Sequence, residues 1–119
     1  MKRSILTIIL LIAAITIFAH PPISFKIIYN ETMLSIGIRH EVNNTSKHHI
    51  DKLSIEHKGE TLIMQKFNGQ TSKEMQEAIY KMDGLEEGDK IKITAHCNIA
   101  GKKSTEYIIP AEEAETDEE

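Results

Sequence analysis

The chain has 119 residues, 14 basic and 18 acidic side chains for a net charge of −4, and one cysteine. That length supports one domain with a modest core, and a lone thiol excludes an intramolecular disulfide. Residues 20–110 carry 12 basic and 12 acidic side chains, a balance that excludes a basic nucleic-acid footprint.

The N-terminus reads as an export signal. Lys2 and Arg3 precede an uncharged apolar run of fourteen residues, Ile5 to Phe18, and Ala19 supplies a small residue for cleavage. Fourteen residues are short for a membrane span, which needs about twenty; left uncleaved, residues 5–18 would serve as an anchor. The expected organisation is a signal peptide over 1–19, one domain over 20–110 and an acidic, disordered tail over 111–119. The tail sequence AEEAETDEE holds six acids and serves solubility rather than packing. The chain is expected outside the cytoplasm, in a periplasm or beyond the cell, and meets a membrane only if the signal stays attached.

Between these ends, apolar residues alternate in short runs broken by turn residues, the pattern of a half-buried antiparallel sheet. ISFKIIY (23–29) predicts the first strand and MLSIGIRH (33–40) the second, with Leu34, Ile36 and Ile38 on one face. HIDKLSIEH (49–57) is the third; Lys58-Gly59 turns it into ETLIMQKF (60–67), and Asn68-Gly69 ends the fourth. EMQEAIYKM (74–82) has a helix-like composition, but its place among strands favours a fifth strand. KIKITAHC (90–97) sets Ile91, Ile93, Ala95 and Cys97 on one face, and STEYII (104–109) closes the fold before Pro110. About seven strands in this length predict an all-β, Ig-like antiparallel sandwich, with Ile36, Ile38, Leu53, Ile55, Ile91 and Ile93 in its core.

If consecutive strands alternate in direction, odd strands begin and even strands finish at one end. His20 precedes the first strand, His40 ends the second, His48 and His49 open the third, and Cys97 ends the sixth. All fall at the same end. His40 shares the face of Leu34, Ile36 and Ile38, and Cys97 that of Ile91 and Ile93, so both point inward at the mouth of the core. A thiolate among imidazoles is a ligand set for iron, zinc or copper, although no C-x-x-C or H-x-x-x-H spacing is present. Taken singly, each residue has an ordinary role: Cys97 as a buried core thiol, His48-His49 as an exposed loop end, His57 as a solvated residue at the opposite end and His96 as a surface residue. Met33, Met64, Met75 and Met82 read as core or gap filling. No phosphate loop or nucleophilic triad is visible.

The segments HHIDKLSI (48–55), AHCNIAG (95–101) and AHPPI (19–23) resemble the catalytic domain of superoxide reductases, the desulfoferrodoxin and neelaredoxin family. The resemblance spans roughly residues 19–109, and its specific parts are His-His-Ile and Cys-Asn-x-x-Gly. It implies an Ig-like sandwich and non-haem iron held by four histidines in a plane and an axial cysteine. His20, His40, His48 and Cys97 match ligand positions, with His49 as the alternative to His48. The chain departs from the family in four respects. Ala100 stands where the fourth histidine is expected. Seven residues, not five, separate His40 from His48, and no proline follows His40. Phe18 and Ala19 replace a Glu that can cap the iron site and a Lys that helps attract superoxide.

The resemblance thus implies an exported metal-binding domain, with superoxide as the small redox substrate and an electron-donor protein that the sequence does not identify. Two other readings stand beside it. One is a metal-free Ig-like interaction domain. The other is a copper-binding module: cleavage after Ala19 would make His20 the N-terminal residue, and its α-amine, with a pKa of about 7.7–8.0, could chelate a metal together with its own imidazole.

Overall fold

A computed structural model describes residues 20–111. The expected export signal and all but the first residue of the acidic tail lie outside the described residues. Seven strands follow one another: β1 (Ser24–Asn30), β2 (Met33–Arg39), β3 (Ile50–His57), β4 (Glu60–Lys66), β5 (Met75–Lys81), β6 (Lys90–Cys97) and β7 (Lys102–Ile108). They form an antiparallel sandwich, with β1-β2-β5 facing β4-β3-β6-β7. The all-β, seven-stranded expectation holds. Residues 74–82 yield a strand because Gln76, Ala78 and Tyr80 pair with Ile38, Ile36 and Leu34 of β2, and this cross-strand packing outweighs a helical composition.

The two hairpins at the far end close through two-residue turns with positive φ, Glu31-Thr32 (49° and 65°) and Lys58-Gly59 (52° and 78°). That backbone twist matches the twist of paired strands. Between the sheets lie Leu34, Ile36 and Ile38 of β2, Leu53 and Ile55 of β3, and Ile91, Ile93 and Ala95 of β6, none more than 2% exposed. Alternation places them there: side chains two apart on a strand share a face, and β2, β3 and β6 are inner strands of their sheets. Ile50, Met82 and Ile109 complete the cluster.

Three expectations are corrected. Met33 and Met64 do not fill the core; they are 40% and 59% exposed. Met33 has the opposite parity to Leu34, and Met64 lies opposite Ser54 on the outer face of its sheet. His57 is not simply solvated: its Nε2 lies 3.6 Å from Asp89 Oδ1, with both side chains about one-fifth exposed. It has the inward parity of Leu53 and Ile55, so the segment before β6 covers it.

Leu53 is fully buried at the centre of this core. Leu53→Ala should lower the unfolding free energy by about 2–5 kcal/mol in urea denaturation; a loss within about 0.5 kcal/mol, the range of a surface substitution, would contradict the packing.

Candidate metal centre

The mouth of the sandwich gathers strand ends from both sheets. From the three-stranded sheet come His20, ahead of β1, and His40, directly after β2; from the four-stranded sheet come His48, ahead of β3, and Cys97, the last residue of β6. One ligand atom from each of His20, His40 and His48 lies within 4.8 Å of the others, and the ring centroids are 4.7–5.3 Å apart. Cys97 Sγ lies 3.2 Å from His48 Nε2. His40 is fully buried and Cys97 is 7% exposed, while His20 and His48 are half-buried and form the rim. His49, the alternative to His48, stays outside this group: its Nε2–H donates to the Phe67 carbonyl at 3.2 Å. His96 is half-buried and lies between Lys52 and Lys102 in the strand register.

Each member is held by its surroundings. Asn44 caps a short turn, its Oδ1 accepting from the backbone of Ser46 and Lys47 at 3.1 and 3.2 Å. The same turn carries the His48 N–H to the Asn44 carbonyl at 2.9 Å. The Asn98 side chain brackets His48 on both sides, accepting from the His49 N–H at 2.8 Å and donating to the Lys47 carbonyl at 2.9 Å. The residue after the cysteine therefore fixes the histidine beside the cysteine. The turn closes at Gly101, whose N-terminal neighbour is Ala100. Gly101 has φ +82°, and a Cβ there would lie 2.9 Å from Pro21 Cβ. Only glycine permits that backbone and that approach, so the turn after Cys97 packs on the residue that follows His20.

Gln70 sets the chemistry of His40. Its Nε2 donates to the carbonyls of His40 and Ser72 at 2.6 and 2.9 Å. Those two acceptors fix the orientation of the amide, so Oε1 is the acceptor for the Ile50 N–H at 3.3 Å and for His40 Nδ1–H at 2.8 Å. With its proton on Nδ1, a neutral His40 presents the Nε2 lone pair to the cluster. His40 Nε2 stands 3.2 Å from the carbonyl oxygen of His20, a contact that a proton on Nε2 would turn into a hydrogen bond and that a metal ion on the lone pair would replace.

His20, His40 and His48 form a group that could hold a metal ion, and Cys97, outside that group, meets it at His48. At bond lengths of about 2.0–2.3 Å, adjacent N and S ligands of one ion stand roughly 3.1–3.6 Å apart, and the His48–Cys97 contact falls in this range. Three imidazoles and a thiol, without a carboxylate, suit iron, copper or zinc rather than magnesium or calcium. Burial and the neighbouring imidazoles of His40, His20 and His49 hold His48 below the ordinary histidine pKa, which favours the neutral form that a metal requires.

Sequence reading placed His20, His40, His48 and Cys97 at one end but missed the residues that position them. Asn98 and Gly101 sit in the quoted Cys-Asn-x-x-Gly segment, which carried a signal. Gln70 follows the Asn68-Gly69 turn and carries none, because its role depends on a fold-back of the 68–75 segment onto β2.

No protein-family model and no curated protein sequence matches the chain. Among solved structures, the superoxide reductase (1Fe-SOR) from Giardia intestinalis is similar at 18% identity and a TM-score of 0.56, covering 76% of this chain and 97% of its own. The superoxide reductase (neelaredoxin) from Archaeoglobus fulgidus in the reduced form is similar at 18% identity and a TM-score of 0.43, over 77% and 90% of the two chains. The first likeness shows that the chain has a superoxide-reductase-like fold.

Two measurements check the centre without a metal. Nitrogen NMR should find a proton on His40 Nδ1 throughout; Gln70→Ala should lose that uniformity and about 3 kcal/mol or more of stability, because three buried polar groups and one half-buried carbonyl lose partners. A wild-type Nε2–H form would contradict the assignment. The depressed pKa of His48, and that of His96, which burial and then Lys52 and Lys102 also lower, make the unfolded chain take protons first. Stability of the metal-free chain should be fully present above about pH 6.5 and fall as pH drops through that value toward the lowered folded values. Denaturation midpoints that do not change across this window would contradict the shifts.

Proposed function

We propose that the chain is a divergent, exported member of the superoxide-reductase-like family, a domain that binds non-haem iron through His20, His40, His48 and Cys97. The convergence of three histidines within 4.8 Å, with a thiol 3.2 Å from one of them, carries this reading. The fold shared with a superoxide reductase supports it. Iron bound there would supply one electron to superoxide, which takes up two protons and leaves as hydrogen peroxide. The chain's own part is to hold three neutral imidazoles and one thiolate in place. Gln70 keeps the His40 lone pair turned toward the ion, Asn98 keeps His48 beside Cys97, and the near-complete burial of Cys97 shields its sulfur from solvent oxidants. The thiolate would add electron density to the ion from the floor of the mouth, while the half-buried rim leaves access for a small anion.

Copper is the second reading, and the donor count favours it. Ala100 contributes no imidazole, so the mouth offers four donors, and a thiolate with imidazoles is a set that copper also takes. If cleavage follows Ala19, the freed α-amine of His20 would add a fifth donor.

Elemental analysis and the visible spectrum of the purified chain test these readings. The iron form should show a thiolate-to-metal charge-transfer band that Cys97→Ser removes with the fold intact. Ala100→His should tighten iron binding and raise superoxide reduction from a low or absent level, whereas one extra residue ahead of a processed His20 should weaken copper binding. A chain that binds neither metal above background, with Cys97 freely reactive toward thiol reagents, would leave the metal-free interaction-domain reading.

A further inference from the structure

The outer face of the four-stranded sheet is ordered by charge. Its register places Lys66, Lys52, His96 and Lys102 in one row across all four strands, at the mouth end. Lys52 lies directly opposite Lys66, and like charges so placed are destabilising. Among the described residues, none of the three lysines has an ion-pair partner. Asp51, in the bulge of β3, is the one acid that bears on His96, against Lys52 and Lys102. The next row is Met64 followed by Ser54, Thr94 and Ser104, with the hydroxyls of Thr94 and Ser104 bonded at 2.8 Å. Beyond it, Glu56 and Glu106 flank Lys92, and Glu106 also pairs with Lys90 at 3.6 Å. Acid and base are matched toward the far end and unmatched at the mouth.

We propose that the acidic segment 112–119 folds back across this face and seats its carboxylates on the lysine row. The segment, EEAETDEE, holds six acids, the charge that the row lacks. Its starting point is set by the fold. β7 begins at the row, with Lys102, and ends at Ile108; the Ile109 N–H then donates to the Asp89 carbonyl at 2.8 Å. The chain therefore leaves the sheet one strand length from the row, about 20 Å at roughly 3.3 Å per residue. Residues 112–119 span about 26–29 Å when extended, enough for the reversal and the return. Asp117, Glu118 and Glu119 then arrive at Lys102 and Lys52, after Ala114 and Thr116 cross the hydroxyl row. The small side chains of Ser54, Thr94 and Ser104 let a backbone approach the sheet there. One surface ion pair is weak, but several act together, and the short tether raises the effective concentration of the acids to about the mM range. The other sheet offers no such seat, because its Lys26 shares a row with Glu77. The contact uses none of the candidate metal ligands and requires no metal.

Backbone NMR of the purified chain at low ionic strength tests the proposal. A tail variant replaces every acid of 112–119 by its amide, and a row variant carries Lys52→Gln, Lys66→Gln and Lys102→Gln. All the substituted side chains lie outside the core, so circular dichroism of each variant should match wild type. Removing the tail's acids should shift the amides of Ser54, Thr94 and His96 and leave those of Ser35, Gly37 and Ile79, on the other sheet, in place. In 1 M salt, where charges are screened beyond about 3 Å, wild type and the tail variant should coincide at these amides. In the row variant, removing the tail's acids should no longer shift Ser54, Thr94 or His96. Dilution of wild type should change nothing, because the contact lies within one chain. Shifts confined to the residues beside the tail, shifts of equal size on both sheets, or shifts that survive in the row variant would overturn the proposal. So would dependence on protein concentration, which would seat the tail on a second copy.

Discussion

The register of β2 and β6 within the core is the constraint on which the candidate centre depends. Leu34, Ile36 and Ile38 are buried on β2, and His40 continues the same parity. Ile91, Ile93 and Ala95 are buried on β6, and Cys97 continues theirs. Burying these aliphatic side chains, each worth about 1.5–3 kcal/mol, therefore also draws His40 and Cys97 inward. A slip of one residue on either strand would expose the core and turn its ligand candidate to solvent at once. The hydrophobic effect that makes the sandwich also aims two of the four candidate donors.

Aim is not enough for chemistry, and polar contacts at the mouth supply the rest. A buried imidazole can carry its proton on either nitrogen. The Gln70 amide removes that choice for His40 because all its hydrogen-bonding groups are already committed. Asn98 does comparable work for His48, tying the loop ahead of β3 to the turn after β6. These contacts cross between segments distant in sequence. They replace water for groups that would be costly to bury unpaired, so order at the mouth and the stability of the fold are linked.

Much of this was legible in the sequence. Alternation identified most of the strands and the six named core residues, context supplied the fifth strand, and strand parity alone put His20, His40, His48 and Cys97 at one end. Where the reading failed, the deciding information was tertiary. Nothing local distinguishes an inward His57 covered by Asp89 from a solvated one, or shows that Met64 faces outward beside Leu62. His48 was preferred and His49 kept as its alternative on sequence, and the Asn98 clamp and the Phe67 carbonyl separate them. Gln70 was invisible, since its partners are His40 just beyond β2, the start of β3 and its own loop.

The four candidate donors also bear on how far a shared fold predicts a shared chemistry. The backbone of the sandwich sets where ligands can stand, but the number and kind of donors decide the metal. X-ray absorption of the metal-loaded chain tests the central claim most directly, because it counts the donors. One sulfur at about 2.3 Å together with three imidazole nitrogens at about 2.0–2.1 Å is the expected shell. A shell without sulfur, or with fewer than two imidazoles, would show that the convergence of His20, His40, His48 and Cys97 does not form a metal centre.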